Sequence, residues 1–173
     1  MEEEKLVNLI REIPDFPKEG IGFKDITPLL KDGPAFKKAI DLLAQQYQNQ
    51  GINKVVAVES RGFILGAGLA YKLGAGFVPV RKKGKLPAKT VEVTYSLEYG
   101  EDTLQMHQDA IQPGERVLIV DDLLATGGTA QATIELLQKL NAKIVGIYFL
   151  IELTFLHGWD KIKEYPVYSL IKY

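Results

Sequence analysis

Residues 117–129 run Val-Leu-Ile-Val-Asp-Asp-Leu-Leu-Ala-Thr-Gly-Gly-Thr, and they constrain the chain more than any other stretch. The apolar run Val117-Leu118-Ile119-Val120 reads as a strand buried on both faces, the habit of a parallel sheet. Asp121 and Asp122 stand where that strand is expected to end. The small residues Ala125, Thr126, Gly127, Gly128 and Thr129 form a turn, and a helical pattern over 128–140 follows. Strand, small-residue turn and helix together form the repeating unit of an open α/β sheet, whose ligands sit beyond the carboxyl ends of the strands. The turn supplies backbone N–H groups, two hydroxyls and a helix N-terminus, which suit a phosphate monoester. The paired aspartates would repel that phosphate, and they suit hydroxyls or a divalent cation. A phosphate, a diol and a metal together describe a phosphorylated sugar.

The rest of the chain supports such a sheet. Residues 3–12 read as a helix ended by Pro14, and residues 14–30 as an irregular arm rich in Pro and Gly. Phe36, Ile40, Leu43 and Tyr47 recur at helical spacing over 34–50, with Gly51 as the C-terminal stop. Apolar strands are expected at 55–58, 77–80, 144–150 and 167–171, and a buried helix at 63–73. Alternation of apolar and polar residues over 91–99 marks a half-buried strand, and 100–114 reads as a loop and short return with hairpin character. Strand and helix alternate, so the expected fold class is α/β: an open parallel sheet with helices on both faces.

Composition removes several classes of function. The 173 residues are expected to form one domain. No cysteine is present, which excludes disulfides, thiolate metal sites and cysteine nucleophiles. A net charge of -1 offers no basic field for nucleic acid. No window approaches the ~18 apolar residues of a membrane span. The acidic start Met1-Glu2-Glu3-Glu4 lacks an apolar signal core, so the expected location is the cytoplasm.

Two further segments belong with the first. Glu59-Ser60-Arg61-Gly62-Phe63 follows a short apolar strand, so Arg61 should face the same crevice, where its fork suits a diphosphate. Arg81-Lys82-Lys83-Gly84-Lys85 is a basic turn after the next strand, and Lys82 and Lys85 are placed to steer an anion. Glu98 falls on the polar face of the alternating strand within Tyr95-Ser96-Leu97-Glu98-Tyr99-Gly100.

The 117–129 string resembles the signature of the type I phosphoribosyltransferases. Together with 59–63, 81–87, 95–100, the arm from Ile13 to Leu30 and the tail 165–171, it is similar to the adenine-using branch of that family. The resemblance implies the family's open-sheet fold, with an N-terminal base-binding hood over 1–33 and a flexible loop over 82–102. It implies adenine and phosphoribosyl pyrophosphate (PRPP) as substrates, Mg²⁺ as cofactor and a homodimer. The Mg²⁺ would be held mainly through PRPP, with Asp121 and Asp122 as possible ligands. By the same resemblance, residues 125–129 and Ser60 hold phosphates, and Asp121 and Asp122 face the ribose hydroxyls. Arg61, Lys82 and Lys85 meet the diphosphate. Glu98 manages the base proton as general base or hydrogen-bond acceptor. Gly22, Phe23, Lys24, Arg61 and Leu123 form the adenine slot. In the family the corresponding turn carries a non-proline cis peptide, whose counterpart here would be the Ser60–Arg61 bond.

Two rival readings follow from the same residues. An enzyme for hypoxanthine, xanthine or orotate would keep the PRPP site but differ in the 14–30 arm and the Leu-Glu-Tyr-Gly motif. A PRPP-sensing regulator would carry a basic face or an added nucleic-acid module, against which the near-zero charge and the length of the chain argue.

Overall fold

A computed structural model of the chain describes residues 2–97 and 100–173. Its centre is a seven-stranded sheet in the order β5-β6-β4-β3-β7-β8-β9. The strands are β3 (Lys54–Val58), β4 (Gly76–Lys82), β5 (Thr90–Leu97), β6 (Gly100–His107), β7 (Arg116–Leu124), β8 (Lys143–Glu152) and β9 (Val167–Lys172). β4, β3, β7, β8 and β9 run parallel. β5 and β6 form an antiparallel pair that joins the edge of β4. This hairpin occupies most of the span expected as the 82–102 loop, and β6 is the return strand of the hairpin character expected from 100.

Both faces of the sheet are covered, so the parallel strands are apolar in both directions. Val55, Leu118, Val120 and Leu150 face one core with Ile40 and Leu43 of α3 (Gly33–Gln45) and Leu65 and Leu69 of α4 (Arg61–Leu73). Val56, Val58, Ile119 and Phe149 face the other with Ala130, Ile134 and Leu137 of α5 (Gly128–Lys139). The period-two split of each strand between the two cores fixes the register, because a one-residue slip would exchange the faces.

Three local expectations are corrected. The first helix, α1, covers only Glu2–Val7, and β1 (Arg11–Ile13) pairs antiparallel with β2 (Phe23–Asp25) inside the expected arm. Charge pairing across those strands overrides the helical spacing: Arg11 Nη2 lies 2.6 Å from Asp25 Oδ2, and Lys24 Nζ lies 3.0 Å from Glu12 Oε2. The arm also contains a short helix, α2 (Thr27–Lys31). α3 ends at Gln45, five residues earlier than the apolar spacing suggested. The third correction bears on function. β7 does not end before the aspartates but continues to Leu124, because the longer β8 pairs with it that far, Asp121 opposite Phe149 and Leu124 opposite Glu152.

Candidate active site

The site is a consequence of strand register. Val58 pairs with Val80, and Ala57 pairs with both Pro79 and Val120, so β3, β4 and β7 present their carboxyl ends side by side. A crevice of about 430 Å³ opens there, lined by Glu59, Ser60, Arg61, Lys82, Asp121, Asp122 and Thr129 from the expected set. Tyr95 and Asp102 of the hairpin complete it. Neither was singled out from sequence, although the two stand opposite one another in the β5–β6 register.

Residues 124–130 enclose a smaller recess of about 90 Å³. Gly127 caps α5 in the left-handed conformation at φ 81°. Its carbonyl accepts from Gln131 N, the first bond of the helix, at 3.0 Å. The preceding N–H groups of the first turn thus have no intrahelical partner, and they carry the positive end of the helix dipole toward the recess. Thr129 Oγ1 lies 3.2 Å from the Tyr95 hydroxyl. Leu123, expected as a wall of the base slot, lines this recess and packs against the first core.

The acidic pair is held in place from two sides. Asp121 Oδ1 accepts from the Asp122 N–H at 2.9 Å. A Cβ on Gly62 would meet that same oxygen at 2.5 Å, so only glycine fits at the start of α4. Burial, and then the neighbouring Asp122, push the Asp121 carboxyl well above its ordinary range. Burial raises Asp122 too, but the Arg61 guanidinium opposes it, with Nε 2.8 Å from Oδ2. Charge is therefore disfavoured more on Asp121 than on Asp122, whose ionised form the arginine supports.

Arg61 also reaches toward the hood. Its Nη1 donates to the Lys24 carbonyl at 3.4 Å, and its guanidinium stacks 4.8 Å from the centre of the Phe23 ring. Phe16 meets Phe23 edge-on at 5.1 Å. A Cβ on Gly22 would come within 2.9 Å of Glu12 Oε1. The Lys24 ammonium points away from the crevice, to Glu12 and to the Tyr173 ring 4.0 Å below it. Phe23, the Lys24 carbonyl and Arg61 are brought together; the lysine side chain is not one of them.

The basic segment splits. Lys82 enters the crevice with Nζ 3.0 Å from Asp102, and this partner raises its pKa. Its N–H donates to Glu59 at 2.8 Å, and Arg81 reaches the other Glu59 oxygen at 3.3 Å. Burial works to raise Glu59, but the Lys82 N–H and Arg81 outweigh it and hold the carboxylate below its ordinary value. Lys85 is exposed on the turn after β4 and does not line the crevice. A non-proline cis peptide lies between Glu59 and Ser60, one bond earlier than the Ser60–Arg61 position expected from the resemblance. Glu98 lies outside the described residues.

Known proteins share the sequence and the fold of this chain. Residues 29–171 fit the family described as phosphoribosyl transferase domain. The adenine phosphoribosyltransferase of Desulfitobacterium hafniense is 59% identical over 95% of this chain and 95% of its own. The crystal structure of adenine phosphoribosyltransferase from Thermoanaerobacter pseudethanolicus superposes with a TM-score of 0.96 at 54% identity, covering 99% of both chains. That from Saccharomyces cerevisiae, complexed with D-2,5-dideoxy-2,5-imino-altritol 1,6-bisphosphate and adenine, gives 0.93 at 42% identity over 98% of each chain. The likeness runs over nearly the whole of each chain, and this chain belongs to the phosphoribosyltransferase family, among its adenine phosphoribosyltransferases.

Proposed function

We propose that this chain transfers the 5-phosphoribosyl group from PRPP to adenine, releasing AMP and pyrophosphate. The observation that carries this reading is the order of groups from the 124–130 recess into the neighbouring crevice: the Gly127–Thr129 turn, the Asp121–Asp122 pair, then Arg61, which stacks on Phe23. That order matches the order phosphate, ribose, base in the product. The bond from the anomeric carbon to the diphosphate oxygen breaks, and a bond from the adenine nitrogen to that carbon forms. The carbon passes through a cationic, oxocarbenium-like state, as in glycoside transfer. The turn and the acidic pair hold the sugar and so contribute position. Lys82 meets the departing diphosphate, and its charge offsets the negative charge that accumulates there.

The base end supplies selection. The exocyclic amino group of adenine is a donor where hypoxanthine has an acceptor, and backbone carbonyls near Gly22 and Lys24 suit the amino group. Phe23 gives the purine a flat apolar face, with Arg61 behind the ring. Glu98 takes the proton of the attacking imidazole edge or accepts its hydrogen bond.

Mg²⁺ fits this donor set in one way. Among the described residues no three metal-ligating side chains converge, so a cation here would take most of its ligands from substrate oxygens, with Asp121 and Asp122 as the protein donors. When bound it neutralises the charge of the diphosphate. The reading also carries a cytoplasmic homodimer. Ile64, Tyr71 and Phe77 stand exposed on α4 and β4, and a partner subunit would cover them. No helix among the described residues is long and apolar enough to cross a membrane.

The test is product formation with PRPP and Mg²⁺ and each of adenine, hypoxanthine, guanine, xanthine and orotate. AMP from adenine alone supports the reading. Turnover of another base keeps the PRPP site but overturns the base assignment. Glu98→Gln should lower kcat far more than it weakens PRPP binding, and equal losses in both would remove the proton-handling role.

A further inference from the structure

The phosphate turn rests on a segment that none of the chemistry above uses. Residues 154–161 form two short 3-10 turns, Thr154–Leu156 and Gly158–Lys161, joined through His157 in the left-handed conformation at φ 53°. Gly158 lies directly behind the turn that lines the recess. A Cβ on Gly127 would meet the Gly158 carbonyl oxygen at 2.5 Å. A Cβ on Gly158 would meet the Ala125 carbonyl oxygen closer than any real Cβ approaches, and would come within 2.9 Å of Gly127 N. Two backbones therefore touch face to face, with no side chain between them to absorb a shift.

The far side of this support is tied to the C-terminus. Thr154 N donates to the Tyr173 carbonyl at 2.9 Å, and Thr154 Oγ1 donates to the same oxygen at 2.6 Å. Tyr173 N returns a bond to Glu152 at 2.9 Å. Tyr173 is in turn the ring beneath Lys24 Nζ, at 4.0 Å, in the hood. The turn that faces the recess thus has its back against Gly158; the neighbouring His157 N–H donates to the Thr154 carbonyl at 3.1 Å, and Thr154 is tied to Tyr173.

We infer that Gly158 is a positioning residue for the substrate 5-phosphate. Its backbone sets the position of the Ala125–Gly127 peptides, and hence the direction of the N–H groups around the recess, while Thr154 anchors it to Tyr173. A displacement of a few tenths of an ångström misaims several N–H donors at once, and hydrogen bonds to a charged oxygen weaken quickly with angle and distance. The effect is confined to ligands that carry the phosphate. Adenine and the ribose ring meet other elements.

This inference rests on the reading that residues 125–129 hold the 5-phosphate, and one experiment separates the two. Equilibrium dissociation constants are measured by calorimetry for AMP and adenosine, which differ only in that phosphate, on the wild type, Gly158→Ala and Thr154→Val. The wild type should bind AMP more tightly than adenosine; equal affinities would overturn the phosphate reading itself. Gly158→Ala should weaken AMP about tenfold or more, and Thr154→Val about threefold, each leaving adenosine unchanged. A merely structural role would instead weaken both ligands together. If the wild type favours AMP and a folded variant keeps the same AMP-to-adenosine ratio, the positioning role is overturned and the phosphate reading stands. Thr154→Val adds no atom at the contact, so it remains informative if Gly158→Ala fails to fold.

Discussion

Arg61 holds Asp122 with Nε 2.8 Å from Oδ2 while its guanidinium stacks against Phe23, so one side chain joins the acidic pair to the hood. Breaking a buried ion pair by removing one partner costs about 3–5 kcal/mol, and less here because the Arg61 side chain is 31% exposed. Arg61→Ala should destabilise the protein by about 2 kcal/mol near neutral pH. Burial already raises Asp122 and Arg61 restrains that rise, so without the arginine the carboxyl binds its proton more tightly. The penalty belongs to the ionised form and fades as pH falls and Asp122 protonates. Urea unfolding at pH 8 and pH 5 measures this, and a loss of the same size at both would contradict it. Arg61→Lys keeps the charge but loses the planar stack, and should raise the KM for adenine about tenfold.

Asp121 combines burial with a like charge beside it, an arrangement that trades stability for function. Its folded pKa is raised, so the ionised carboxylate destabilises the fold. The penalty grows as pH rises from the unfolded value through the folded one and is complete above both. Asp121→Asn removes that charge while the amide oxygen can still accept from Asp122 N. The variant should melt higher than the wild type at neutral pH and equal it at acid pH, and it should lose about tenfold in kcat/KM for PRPP. Thermal melts across pH together with steady-state kinetics check both halves. A variant no more stable at pH 7 would show that the pair is not under electrostatic stress.

What sequence could deliver depended on whether the cause was local. β3, α4, β7 and α5 were legible because apolar runs, small-residue turns and helical spacing are encoded within each element. The crevice residues on those elements followed, since parallel strands with two buried faces align their carboxyl ends. The strand pairing within residues 1–33 was not legible, because Arg11–Ile13 is a strand only through its pairing with Phe23–Asp25, with Arg11 on the buried Asp25. Nor was the direction of long side chains. Lys24 and Lys85 carry charge in the expected places, yet one turns to Glu12 and Tyr173 and the other stands clear of the crevice. The length of β7 likewise depended on its partner β8, so the acidic pair lies within a strand and not beyond it.

Asp102 pairs with Lys82 at 3.0 Å within the crevice proposed to take the diphosphate. A diphosphate must displace that carboxylate or share the lysine with it. Asp102→Asn removes a like charge from the anion's path and frees the ammonium. Product inhibition by pyrophosphate should become tighter by about threefold to tenfold, and the gain should shrink as salt is added. Lys82 has its pKa raised by Asp102, so the pair's contribution to stability is present below the ordinary lysine value and is lost as pH rises through the raised one. Asp102→Asn should therefore remove a stabilisation that exists at neutral pH and is absent in strong alkali. Weaker pyrophosphate inhibition would instead mean that Asp102 holds Lys82 in its working position.

Among the described residues two side-chain hydrogen bonds join the β5–β6 hairpin to α5, and they differ in kind. Near the C-terminal end of the helix, Lys139 Nζ donates to the Glu92 carbonyl at 2.6 Å. At the N-terminal end, the Tyr95 hydroxyl meets Thr129 Oγ1 at 3.2 Å, beside the phosphate recess. The first bond is remote from any ligand, whereas the second uses a hydroxyl that a bound phosphate would also engage. PRPP should therefore change the hairpin at its Tyr95 end. In the wild type, PRPP should slow trypsin cleavage at Lys82, Lys83, Lys85 and Lys89, which precede β5. Tyr95→Phe removes one hydroxyl and leaves the ring that packs over Gly128, so the fold should persist. The variant should be cut faster in the absence of ligand and gain less protection from PRPP, and its KM for PRPP should rise about twofold to tenfold, the range of one hydrogen bond. Cleavage of the wild type that PRPP leaves unaltered would show that the hairpin does not close over the substrate, and the Tyr95–Thr129 contact would then be a fixed brace of the scaffold.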